Sequence, residues 1–330
     1  MNVHVMRDDL RPPAPPARRH LIAVSDLSRD DVERLLATAA SFEASLDREV
    51  KKLPTLRGRL VVTLFFESST RTSSSFELAA KRLSADTMSL KSSGSSVDKG
   101  ESLRDTALTL AAYDPDVIVL RHPQIGAPRL VAAATDARIV NAGDGAHQHP
   151  TQALLDLYAM RQALGRLEGL HVAIVGDVLH SRVARSLVQA LALVGARVTL
   201  VGPPPLIPRG IGALGCEVAY DLGAIADADV VYVLRMQRER MLEGANYVPS
   251  LREYTARWGI TPDRVRPGQV VMHPGPMNRG VEIDSAVADA ASSLVTAQVR
   301  AGLVVRMAVL YDLLTAGPAP VEAAAALEVA

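Results

Sequence analysis

The chain has 330 residues, 48% of them hydrophobic and 22% charged, which suits two domains each able to bury a core. Lys+Arg and Asp+Glu both number 36, so no global field draws in nucleic acid or a membrane surface, and any anionic ligand needs a local arginine cluster. One cysteine, Cys216, excludes an intrachain disulfide and a cysteine-rich metal site and fits a reducing cytoplasmic setting. The opening MNVHVMRDDLRPPAPPARRH holds no apolar core of signal-peptide length, and no run of about 18 apolar residues occurs anywhere. Residues 1–19, rich in Pro and Arg, read as a flexible leader, and the end from 317, GPAPVEAAAALEVA, as a tail behind a Gly-Pro stop.

Between these ends, apolar runs at 60–66, 117–120, 138–141, 172–176, 198–201, 230–234 and 270–273 read as strands. Their continuous apolar character is that of parallel strands covered on both faces. Helical spacing separates them: Phe76, Ala79, Ala80 and Leu83 fall at i, i+3, i+4 and i+7, and 183–194 forms a second helix. The predicted fold class is therefore α/β, with mainly parallel sheets flanked by helices. Ligands of such sheets bind beyond the carboxyl ends of the strands. Polar clusters stand there in this chain, at 67–72, 121–123, 143–152, 177–182, 235–240 and 273–280.

The first cluster lies in FFESSTRTSSSFELAAKRL, a strand running into a helix. Ser69, Thr70, Arg71 and Thr72 stand where a helix leaves backbone N–H groups unpaired, a natural anion site. Read alone, such a start is either an ordinary N-cap or a phosphate cradle. Next, Arg121 emerges from the strand before RHPQIGAPRL, and NAGDGAHQHPTQALLD offers two turn glycines, His147 and His149, then a helix opened by Pro150 with Gln152 in its first turn. His147 reads as a structural hydrogen-bonder. GSSVDKGESLRDT reads as a polar loop entering a helix.

In the second half, VAIVGDVLHSRVARSL lacks the G-x-G-x-x-G spacing of a dinucleotide site and carries Arg182 and Arg185 at a helix start. VVYVLRMQRER runs from strand into Arg235, Gln237, Arg238 and Arg240, with Arg240 read as pairing inside its own loop. VVMHPGPMNRGVEI sets two prolines around Gly275.

From about residue 20 to 311 these motifs stand in the order of the aspartate/ornithine carbamoyltransferase family, which the chain resembles. That resemblance implies two domains, 20–152 for carbamoyl phosphate and 153–292 for the amino acid, with a helix at about 293–315 packed back on the first and the active site between them. It implies that Ser69, Thr70, Arg71 and Thr72 grip the phosphate, and that Thr72, Arg121 and His149 polarise the carbamoyl carbonyl. Gln152, with the backbone of Gly275 and Pro276, accepts from the carbamoyl NH2, and the Gly275–Pro276 bond is cis. By the same resemblance Ser95 and Lys99 complete a neighbouring subunit's site, so that the unit is a homotrimer and an isolated monomer is inactive.

Arg182, with Lys99, Arg235 and Gln237, then binds L-aspartate, while Arg185 serves structure. The family's second arginine after Thr72 is Ser73 here, and its second lysine beside Lys99 is Asp98. HPGP, where the ornithine branch has a cysteine-containing segment, belongs to the aspartate branch. The implied reaction is carbamoyl phosphate plus L-aspartate to N-carbamoyl-L-aspartate and phosphate, early in pyrimidine synthesis, with no cofactor, no metal and no covalent intermediate. Regulatory or dihydroorotase-like chains are the implied partners. Ornithine as acceptor, or a non-catalytic scaffold, are the competing readings.

Overall fold

The computed structural model describes residues 20–91, 100–241 and 247–315. Helix α1 (Arg29–Ser45) starts at a capping box in which Ser28 Oγ accepts from Asp31 N–H while the Asp31 side chain reaches back. Strand β1 (Leu60–Phe65) leads into α2 (Thr70–Arg82), then β2 (Asp86–Lys91), α3 (Leu103–Ala111) and β3 (Val117–His122). Helix α4 (Ala127–Ala134), β4 (Arg138–Asp144) and the long α5 (Pro150–Leu164) complete this part. The sheet is wholly parallel in the order β2-β1-β3-β4.

A second parallel sheet is built from β5 (His171–Val175), α6 (Arg182–Leu193), β6 (Arg197–Val201), β7 (Glu217–Ala219), β8 (Val230–Val233), α7 (Leu251–Trp258) and β9 (Val270–Met272). Its order is β7-β6-β5-β8-β9. The short α8 (Ser285–Ala288) and the long α9 (Val295–Leu314) follow. Helix α9 packs on α1, α2 and α5, so it covers the first sheet's helical layer. Its burial on nearly every side explains why its apolar residues show no single stripe. No described helix is long and apolar enough to cross a membrane.

Two short strands were not visible in the sequence. β2 reads DTMSLK and is half exposed, and β7 is the three-residue EVA; both sit at sheet edges, where one flank needs no apolar cover. Helix α5 is continuous through residues 152 and 153, so a boundary drawn there falls in its first turn.

The strand orders fix where ligands can sit. The chain moves outward from β1 to β2 on one side and through β3 and β4 on the other, so the switch point lies between β1 and β3. In the second sheet it lies between β5 and β8. The carboxyl end of β3 carries Arg121, and the segments just beyond β1, β5 and β8 carry Glu67–Thr72, Arg182 and Arg235.

Candidate active site

Strand β1 delivers the chain to Ser69, the N-cap of α2, whose side chain makes no capping bond and stays available. The first-turn N–H groups at Thr70, Arg71 and Thr72 have no intrahelical acceptor, and the dipole of this 13-residue helix adds positive potential. Thr72 is buried, whereas Thr70 and Arg71 are exposed. Ser73 donates its hydroxyl to Ser69 O at 2.9 Å, so the residue standing where the family has an arginine closes the turn instead.

Parallel pairing places Arg121 opposite Phe65, directly beside that cradle. Its Nη1 donates to Ala142 O at 3.3 Å, and its Nε lies 3.4 Å from Glu67 Oε2. Burial, with Arg182 nearby, pushes the guanidinium pKa down to about 10 although Glu67 pulls the other way. It remains a cation, poorly solvated and short of anionic partners.

His149 is the N-cap of α5, with Pro150 as the first helical residue. Its backbone N–H donates to Ser186 Oγ at 2.8 Å, and its Nδ1 is buried without a partner among the described residues. Burial first, then the charges of Arg121, Arg306 and Arg182, hold the imidazole pKa well below its usual value. The ring is neutral at pH 7, and its Nδ1 finds no hydrogen-bond partner among the described residues. His147, by contrast, is tied to Asp144 at 3.0 Å.

One turn into the same helix, Gln152 donates its Nε2 to Asp156 Oδ1 at 3.0 Å. The Gly275–Pro276 bond is cis, as the resemblance implies. Gly275 has φ of +62°, and a Cβ there would fall on the Arg71 guanidinium, so the second domain's turn lies directly against the first domain's cradle. Burial, and then Arg235, lowers the Arg71 pKa, which fits a cluster of cations in want of an anion.

Arg182 opens α6 behind the Ser181 cap. It is buried; Nη2 donates to Glu67 Oε2 at 2.5 Å and Nη1 has no partner among the described residues. Gly143, at φ +121°, passes so close that a Cβ would come within 2.6 Å of that Nη1. Arg235 pairs with Glu239 in its own loop. Gln237 donates its N–H to Asp177 Oδ2 at 3.1 Å and its Nε2 to His180 O at 3.0 Å. Arg185 donates to Ala146 O at 2.5 Å and to Leu179 O at 3.3 Å, which ties loops together. Among the described residues, Arg240 reaches out of its loop. It crosses to Gly145 O at 3.1 Å, to His180 O at 3.0 Å and to Glu67 Oε1 at 3.3 Å.

Of the residues expected at the site, Ser69 to Thr72, Arg121, His149, Gln152, Arg182, Arg235, Gln237, Gly275 and Pro276 are described; Ser95 and Lys99 lie outside the described residues. Glu67 was missed. It receives Arg121, Arg182 and Arg240 at once, and its place between a strand end and an anion-binding helix was the signal available. Arg306 of α9 was also missed, although it donates to Ser75 Oγ at 2.6 Å and stacks over Phe76 at 5.1 Å. No cluster of metal-ligating residues occurs among the described residues.

Two parallel α/β sheets whose switch points face one arginine-rich cleft, with a helix N-terminus at its floor, define an enzyme of small anionic substrates. A family model described as aspartate/ornithine carbamoyltransferase, carbamoyl-P binding domain, matches residues 19–162, and its Asp/Orn binding domain counterpart matches residues 168–313. The chain belongs to the aspartate/ornithine carbamoyltransferase family. The aspartate carbamoyltransferase catalytic subunit of Salinispora arenicola is 58% identical over 90% of this chain and 98% of its own length. That of Moorella thermoacetica is 53% identical over 90% and 97%. Among solved structures, aspartate transcarbamoylase from Trypanosoma cruzi in complex with N-(phosphonacetyl)-L-aspartic acid superposes with a TM-score of 0.82 at 32% identity, covering 90% of this chain and 96% of that one. The catalytic subunit of M. jannaschii aspartate transcarbamoylase gives 0.79 at 37% identity, covering 89% and 97%.

Proposed function

We propose that this chain is the catalytic subunit of an aspartate carbamoyltransferase, making N-carbamoyl-L-aspartate and phosphate from carbamoyl phosphate and L-aspartate. The observation that carries the reading is the pairing of a first-domain cradle, made by the α2 start with Arg121 and neutral His149, with a second-domain arginine, Arg182, that keeps an unpaired buried nitrogen.

Ser69, Thr70, Arg71 and Thr72 hold the phosphate through backbone N–H groups, hydroxyls and a guanidinium fork. Thr72, Arg121 and His149 surround the carbamoyl oxygen, and Gln152 with the Gly275 and Pro276 carbonyls accepts from its NH2. Arg182 binds the α-carboxylate of aspartate, and Arg235 with Gln237 takes the side-chain carboxylate, trading Glu239 and His180 O for the substrate. The aspartate amine attacks the carbamoyl carbon, negative charge gathers on the carbonyl oxygen, and the bond to the phosphate oxygen breaks as phosphate leaves with the amine proton. Holding two anions side by side is worth about 7–11 kcal/mol when orientation is good. Oxyanion donors add about 10²–10³-fold each.

The domain division at 152/153, with α9 returning to the first domain, belongs to this reading, as does a cytoplasmic location. So does a homotrimer in which Ser95 and Lys99 enter a neighbour's cleft, with further assembly onto regulatory or dihydroorotase-like chains. Arginines for two carboxylates, and HPGP in place of a cysteine segment, favour aspartate over ornithine. Phosphate release from carbamoyl phosphate, measured with L-aspartate and with L-ornithine, tests it. Activity with aspartate alone is expected; turnover of ornithine would overturn the assignment of Arg235 and Gln237, and inactivity with both would overturn the enzyme itself.

A further inference from the structure

Asp156 is completely buried on α5, one turn beyond Gln152. Its Oδ1 accepts from Gln152 Nε2 at 3.0 Å and from Gln298 Nε2 at 2.7 Å, and its Oδ2 accepts from the Tyr232 hydroxyl at 2.7 Å. Arg306, on the same helix as Gln298, is the cation whose charge it feels. These groups come from α5, β8 and α9, so one side chain ties the first part's α5 and the returning helix to the second sheet.

Gln298 passes the constraint on. Its Oε1 accepts from His273 N–H at 3.0 Å, and His273 Nδ1 in turn accepts from Gly275 N–H at 2.8 Å. Oδ1 takes both amides and, as a carboxylate or a carbonyl oxygen, it only accepts, so it turns both glutamine NH2 groups inward. Both amide oxygens then point away from it. One is held on the 273–276 turn, and the other, at Gln152, is left to accept elsewhere.

We propose that Asp156 is a positioning residue for carbamoyl phosphate, setting at once the amide orientation of Gln152 and the backbone of the Gly275–Pro276 turn. The two acceptors assigned to the carbamoyl NH2 are thereby fixed from a single buried oxygen, and the proposal rests on that assignment. A flipped Gln152 would present a donor to a donor, and the carbamoyl group would lose both its hold and its alignment with the attacking amine. Misplacement of that kind can cost about a hundredfold in rate.

The test is steady-state kinetics on the full assembly with four variants. Asp156→Leu keeps the volume and removes the acceptor. It is expected to raise the KM for carbamoyl phosphate and lower kcat by about ten- to a hundredfold, with the KM for L-aspartate moving less than about twofold. Asp156→Asn keeps one oxygen for both glutamines and turns its NH2 to the Tyr232 oxygen, so it should restore the rate to within about fivefold of the parent. The double variant of Asp156→Leu with Gln152→Ala should lose far less than the product of the single losses. If the Leu variant does not fold, Asp156→Ser, whose hydroxyl is too short to reach Gln152, replaces it. Multiplicative losses, or an Asn variant as damaged as Leu, would overturn the positioning role while leaving Gln152 in place. A Gln152→Ala enzyme with unchanged use of carbamoyl phosphate would remove the assignment of Gln152 and the proposal with it.

Discussion

Glu67 Oε2 lies 2.5 Å from Arg182 Nη2, joining the segment beyond β1 to the first turn of α6 and so the first sheet's cleft edge to the second's. The same carboxylate meets Arg121 and Arg240. A single negative charge among three cations holds their guanidiniums close without cancelling them, which leaves net positive potential for two anionic substrates.

Replacing Glu67 by Gln removes that charge while keeping the shape. The arginines then repel one another and lose their alignment. A fall of about ten- to a hundredfold in kcat/KM for L-aspartate is expected, since misplaced groups cost about that much. The thermal unfolding midpoint should fall as well, because the buried Arg182 guanidinium loses its carboxylate partner. Steady-state kinetics beside a melting curve separates the two effects, and an unaltered kcat/KM would show the contact to be incidental.

Arg121→Ala and Arg235→Ala should differ in kind. Loss of Arg121 removes an oxyanion donor, so kcat should drop by about 10²–10³-fold. Loss of Arg235 removes a carboxylate partner, so the KM for L-aspartate should rise while carbamoyl phosphate still binds. Saturation curves in each substrate distinguish the cases, and identical profiles for both variants would contradict the separate assignments.

Gly143→Ala places a methyl group 2.6 Å from Arg182 Nη1 at a φ of +121°, which L side chains rarely adopt. The guanidinium must move. Weaker use of L-aspartate, with a stability loss of about 1–3 kcal/mol from backbone strain, is expected from kinetics and denaturant unfolding. Gly58, also at positive φ but with nothing nearby, serves as the control that shows strain alone.

Burial pushes the Asp156 carboxyl up to about 7, against the pull of Tyr232, Gln298, Gln152 and Arg306. An unfolded aspartate titrates near about 4, so between about 4 and 7 the folded state binds more protons than the unfolded one. Asp156 therefore withdraws stability as pH rises through that window and adds no further slope above it. Buried His149 and His273, both lowered, act in the opposite sense, withdrawing stability as pH falls below about 6.5. Asp156→Asn leaves those histidines in place, so the stability difference between parent and variant isolates the carboxyl. That difference should fall from about pH 4 to 7 in denaturant midpoints, and a flat difference would place the titration elsewhere.

The central strands and the cleft were legible because buried parallel strands are apolar without interruption and because their carboxyl ends must face the ligand. β2 escaped notice since an edge strand such as DTMSLK needs only half its flank covered. Arg71, Arg121, His149 and Arg182 were readable from residue type at strand ends and from family motifs. Glu67 stood at a strand end before an anion-binding helix, but what it, Asp156 and Arg306 do depends on partners such as Arg182, Tyr232 and Ser75, far away in sequence, which no local pattern encodes. Arg240 was read only within its own loop, and its contacts to Gly145 and Glu67 lie across the cleft, beyond any local pattern.

Helix α9 is the last of the described elements, yet Ala301, Val304, Val305, Ala308 and Leu310 are buried in the core that also holds Leu36, Phe76 and Leu157 from α1, α2 and α5. During synthesis the first half therefore leaves the ribosome with an uncovered apolar face and must wait for residues 295–314 before it can close. Maturation is thus not vectorial. A nascent chain stalled before α9 would be the species that chaperones recognise, and premature termination there should yield an aggregating product rather than a half-active one.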